Sequence, residues 1–195
     1  DAATKALAEA QRAGAGATAA ILGAEHAAHR LRAQDVRTLF SLDGGQTLRP
    51  FEKPIDSPVD PLQAYIAVRH TGYWVEGFVC LSGSEDLQLA KAAEALKTII
   101  ARATAGTKCS DLVRLAAEKI RPYGTHPITA ESIGNGIGLS LEEEARVSAD
   151  SEERLAAGRV YTLRVGVSDG QQQHGIVSAM VAVHQDGNEL LWGAV

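Results

Sequence analysis

The stretch AYIAVRHTGYWVEGFVCLSG, residues 64–83, constrains the chain more than any other. Two runs of β-prone residues are split by Thr71-Gly72, which reads as a turn between antiparallel strands. The elements around this hairpin decide the fold class. DAATKALAEAQRAGAG, 1–16, is Ala-rich, helix-prone and closed by glycines, and residues 17–32 place Ala, Ile and Leu at helical spacing. VRTLFSL, 36–42, reads as a strand, and DGGQTLRPFEKP, 43–54, as a loop rich in Gly and Pro. Beyond the hairpin, Ser84-Glu85-Asp86 is expected to cap a long helix with Leu87, Leu89, Ala93, Leu96, Ile99 and Ile100 as its apolar residues. Residues 107–120 form a second amphipathic helix, ended by Pro122. From Thr125 onward the chain is mostly β, with RVYTLRVGVSD and IVSAMVAVHQDG as its clearest strands and NELLW short enough to pair as an edge. The order is helix pair, strands, helix pair, strands. Two similar halves of this kind indicate α+β rather than a βαβ repeat.

The length of 195 residues fits one domain, spanning 1–195. A formal net charge of −5 argues against a nucleic-acid surface driven by phosphate neutralisation. No apolar run has the length of a membrane span, so no membrane association is expected. Cys80 and Cys109 lack CxxC spacing and suggest no disulfide framework, which makes the cytoplasm the default location. The chain opens directly in helical sequence without Met, as the C-terminal part of a longer chain would.

Four runs in order resemble one family. GYWVEGFVCLSG is similar to a GYxxDxxRT strand, GNGIGLSLEEE to a histidine-bearing GHGIG run, and LAAGRVYTLRVGV to LxxGMVxTxEPGI. IVSAMVAVHQDGNELL is similar to a closing strand that carries a glutamate. Together they resemble the pita-bread family of methionine aminopeptidases, prolidases, aminopeptidase P and creatinase. The resemblance implies an α+β fold of two pseudo-symmetric halves, with a curved antiparallel sheet covered by helices. In metal-dependent members, two divalent ions are held by two Asp, one His and two Glu. Hard ions favour carboxylate oxygens, and bridging carboxylates bring two metals close enough to share a hydroxide.

Carried over place by place, the resemblance puts the second Asp on Glu76 and the first within residues 65–68, which hold no acid. The His falls on Asn135, the first Glu on Arg164 and the last on Ser178. A guanidinium is permanently charged and repels a dication. The resemblance with these replacements therefore implies no metal and no other cofactor. Arg164 is instead expected to pair with Glu76, by a direct hydrogen bond or across one water. The family's outer histidines fall on Phe51 and Glu142.

The expected ligand cleft thus comprises Phe51, Glu76, Asn135, Glu142, Arg164 and Ser178, and would take a small molecule or peptide. A rival reading is a metal-independent, creatinase-like hydrolase of C–N bonds. Its candidate catalytic residues are Glu76, Glu142 and one of His70 and His126. An ordinary dinuclear aminopeptidase is a third and weaker reading. Glu25-His26-Ala27-Ala28-His29 has two same-face histidines, but zinc needs further ligands, so it reads as a solvated helix face. The resemblance also implies a homodimer.

Overall fold

The computed structural model describes residues 1–83, 87–121, 123–170 and 174–193. The cap expected at Ser84-Glu85-Asp86 and the stop expected at Pro122 fall outside the described residues. The first half runs α1 (Ala2–Arg12), α2 (Ala17–Arg30), β1 (Asp35–Ser41), β2 (Leu62–His70) and β3 (Tyr73–Leu81). The second half opens with α3 (Leu87–Ile100) and α4 (Cys109–Lys119). It continues through β4 (Gly124–Thr125), a 3-10 turn over Pro127–Thr129, β5 (Gly134–Gly136) and β6 (Glu143–Arg146). The last strands are β7 (Arg159–Ser168), β8 (His174–His184) and β9 (Gly187–Gly193).

The hairpin forms as its sequence indicates. Thr71 and Gly72 both take positive φ, 49° and 90°, the pairing that turns a right-twisted two-stranded ribbon in two residues. This turn fixes the register, so Ala67 lies opposite Glu76 and Tyr65 opposite Phe78. The helix expected over 17–32 ends at Arg30, because Arg32 adopts φ 65° and leaves the helical path.

Two antiparallel sheets result. One has the order β1-β2-β3; the other has β6-β5-β7-β8-β9, with β4 also pairing to β7. Each is backed by its own helix pair. Leu7 of α1 and Ala20, Ile21 and Ala24 of α2 pack on Phe40, Leu62, Ala64 and Ile66. Ala92, Leu96 and Ile99 of α3 and Leu112 of α4 pack on Leu163, Val165, Val177 and Ala179. Strand alternation then decides what faces the other way. With Leu163 and Val165 directed at the helices, Thr162, Arg164 and Gly166 belong to the opposite face of β7.

β3 and β8 join the halves. The backbone N–H of Phe78 donates to the Ser178 hydroxyl at 2.7 Å, so a side chain of one sheet satisfies the backbone of the other. A small apolar cluster of Ala67, Trp74, Ile137 and Met180 closes the junction. Among the described residues, no helix is long and apolar enough to cross a membrane.

The short strands β5 and β6 were not evident in the sequence, since GNG has no β-prone side chains. They form because β5 fits between β6 and β7 with its backbone close to both. A Cβ at Gly136 would collide with the carbonyl of Glu144 on β6, a backbone atom that cannot swing aside. Gly136→Ala is therefore expected to cost about 1–3 kcal/mol, read as a lower urea midpoint with an unchanged m-value. An unchanged midpoint would show that β5 is not so confined.

Candidate functional site

Four strands bring a polar chain together on the face turned away from the helices. β2 supplies Tyr65, β3 Glu76, β7 Arg164 and β5 Asn135. The hairpin register sets Tyr65 diagonally across from Glu76, and its hydroxyl donates to Glu76 Oε2. Glu76 Oε1 lies 3.9 Å from Arg164 Nη1. Arg164 Nη2 donates to Asn135 Oδ1 at 3.0 Å. Asn135 Nδ2 in turn donates to the carbonyls of Gly136, at 2.8 Å, and Leu141, at 2.9 Å. The chain of contacts thus runs from the first sheet to the loop that carries Glu142.

Of the two forms expected for the Arg164–Glu76 pair, this arrangement excludes the direct hydrogen bond. Arg164 does face Glu76, yet 3.9 Å is too long for a direct hydrogen bond. The short bond of Arg164 goes to Asn135, and that of Glu76 goes to Tyr65. The ion pair is nevertheless buried, with side-chain exposures of 15% for Arg164 and 5% for Glu76. The guanidinium also lies 5.8 Å from the centre of the Phe78 ring, within range of a cation–π contact. Glu76 Oε1 and Arg164 Nε find no hydrogen-bond partner among the described residues.

Burial is the first cause that pushes the Tyr65 phenol far above the usual tyrosine range, and the Glu76 carboxylate adds to it. The phenol is consequently a fixed donor to Glu76. As a donor set for a divalent ion, the site offers one carboxylate already engaged by Tyr65, a neutral amide and a guanidinium 3.9 Å away. That set does not fit such an ion. Among the described residues, no group of three or more His, Cys, Asp or Glu is placed to hold a metal.

A cavity of about 540 Å³ opens beside Arg164 and Asn135. Ser132, Glu142, Glu143, Glu144, Arg146 and Glu153 complete its lining. Its walls mix four acidic and two basic residues, which suits a polar occupant better than an apolar one. Glu142 is exposed there.

The remaining candidates lie elsewhere. Phe51 does not line this cavity; its ring sits 4.5 Å from that of Phe40 and packs against the first half's core. The cause is local. Asp43 accepts from the Thr47 N–H and hydroxyl, and Arg49 bridges back to Phe40, which folds the 43–51 loop onto β1. Ser178 is fully buried and occupied by the Phe78 N–H. His126 is also fully buried, and its Nδ1 accepts from the Ile128 N–H at 3.0 Å, capping the 3-10 turn. His70 is exposed at the end of the hairpin, opposite Tyr73. His26 and His29 are exposed on α2. Tyr65 is the member that sequence reasoning missed, although the two-residue turn already sets it diagonal to the Glu76 position.

The sequence model of metallopeptidase family M24 matches residues 64–185. The Xaa-Pro dipeptidase of Pyrococcus furiosus is 34% identical over 74 residues, which make up 38% of this chain and 21% of that protein. The prolidase from Pyrococcus horikoshii superposes with a TM-score of 0.76 at 19% identity, covering 97% of this chain and 60% of that one. The methionine aminopeptidase from Thermotoga maritima gives 0.76 at 12% identity, covering 97% of this chain and 92% of that one. At such identities the likeness shows the fold, the pita-bread α+β architecture. The chain spans 21% of the dipeptidase and 60% of the prolidase.

The raised Tyr65 phenol has a consequence for stability at high pH. An unfolded tyrosine ionises near pH 10. The folded phenol keeps its proton beyond that point, so its contribution is complete below about pH 10 and is lost as pH rises further. The urea midpoint of the unmutated chain is expected to fall more steeply above about pH 10 than that of Tyr65→Phe. Parallel alkaline profiles would show that Tyr65 is not held as its geometry indicates.

Proposed function

The chain belongs to metallopeptidase family M24, and from that membership we propose that it is a metal-free, non-peptidase member whose cleft binds a small polar molecule or peptide. The observation that carries this reading is the Arg164 guanidinium, 3.9 Å from Glu76 and hydrogen-bonded to Asn135. By the resemblance of the motifs, these are ligand places in metal-dependent relatives. A fixed positive charge there opposes a dication. Of the other places, Ser178 is fully buried against the Phe78 N–H, and Tyr65 supplies a phenol committed to Glu76.

The rival reading, a metal-independent hydrolase, finds less support. General acid–base work needs a group within reach of the reacting atoms. His126 is engaged as a cap, His70 lies at the hairpin end, and neither lines the cavity that holds Glu142. What remains there is a set of charged residues around a polar space, which favours binding over turnover.

Elemental analysis of protein purified without chelator tests this reading. Well under one equivalent of Mn, Co, Zn or Fe is expected. Xaa-Pro dipeptides are expected to hydrolyse at the buffer rate, with or without added Mn or Co. Stoichiometric metal, or hydrolysis that depends on added metal, would overturn the reading.

A further inference from the structure

We propose that Tyr65, Glu76, Phe78 and Asn135 build a binding site for one guanidinium group, which the chain fills from within with Arg164. This inference rests on the metal-free reading of the cleft and names what its interior selects. The site has the parts such a group requires. Glu76 presents a carboxylate 3.9 Å from one terminal nitrogen, Asn135 Oδ1 accepts from the other at 3.0 Å, and the Phe78 ring lies 5.8 Å from the central carbon. Acceptors at the edge and an aromatic face match a planar, delocalised cation better than a compact one. Tyr65 occupies the other carboxylate oxygen and so orients the first toward Arg164.

Occupancy of this site reaches the cavity wall. Asn135 holds Arg164 with its oxygen and Leu141 O with its nitrogen, at 2.9 Å. Leu141 directly precedes Glu142. The loop is pinned again where the Trp74 N–H donates to Gly138 O at 2.7 Å. Arg164 is therefore a positioning residue. It fixes the Asn135 amide, and through that amide the segment that presents Glu142 to the cavity.

Removing the side chain should leave a site that accepts the same group from solution. Arg164→Ala is expected to lower Tm by roughly 4–8 °C. Guanidinium chloride at tens of millimolar, below its denaturing range, is expected to restore at least half of that loss. Equal urea, which has the shape without the charge, and equal sodium chloride, which has a charge without the shape, are expected to restore little. NMR shifts of residues 138–142 are expected to return toward their original positions with guanidinium and not with the other two additives. A Tm that guanidinium does not raise, or that urea or sodium chloride raises equally, overturns the inference.

A second pair of variants covers failure to fold. Arg164→Met leaves the Glu76 carboxylate without a counter-charge, whereas E76Q/R164M removes both charges. The double variant is expected to be more stable than Arg164→Met alone and to ignore guanidinium. Equal stability, or unfolding of both while Glu76→Gln folds, counts against the proposal. Metal bound by the unmutated protein would overturn the metal-free reading itself, whereas absent rescue in metal-free protein overturns this inference alone.

Discussion

A carboxylate buried between two sheets is costly unless something positive faces it. Glu76 is such a group, with 5% of its side chain exposed. It stands on β3, the strand where the first half meets the second, within reach of side chains from both. Arg164 comes from β7, and Tyr65 from the neighbouring strand of the same hairpin. The remaining polar contacts follow from that pairing. Asn135 accepts from Arg164 and passes the constraint to the loop before Glu142.

The scaffold makes these contacts attainable without any flexible reach. Each sheet is anchored to its own helices by an apolar face, which obliges alternate residues to face the junction. Ser178 then links β8 to the Phe78 backbone, and Ala67, Trp74, Ile137 and Met180 form an apolar cluster at the junction. Low local polarity strengthens the Glu76–Arg164 attraction and equally raises the cost of losing either partner. The same frame in relatives of solved structure shows how little of it depends on sequence identity, which is 19% for the prolidase.

Much of the fold was legible because its signals are local. Thr71-Gly72 announces a turn, the alternating runs announce strands, and both helix pairs carry apolar residues at helical spacing. The α2 terminus differed by two residues because Arg32 leaves the helix by a positive φ that its side chain does not advertise. β5 and β6 were hidden for another reason. Their stability lies in backbone proximity to neighbours distant in sequence, and not in side-chain propensity. In the site, the resemblance of the motifs and the opposite charges of the two residues were enough to bring Glu76 and Arg164 together. They were not enough to divide the hydrogen bonds, which depend on where Tyr65 and Asn135 stand across two registers. Phe51 was misplaced because the Asp43–Thr47 contacts turn its loop inward, an effect invisible to a match of motif length.

The central claim is that Arg164 occupies the space between Glu76 and Asn135 and excludes a divalent ion from it. Anomalous diffraction from crystals soaked in manganese chloride tests this directly. The account predicts continuous density for Arg164 from β7 to Asn135, and no anomalous peak beside Glu76. A manganese peak at Glu76, with Arg164 turned out to solvent, would contradict it.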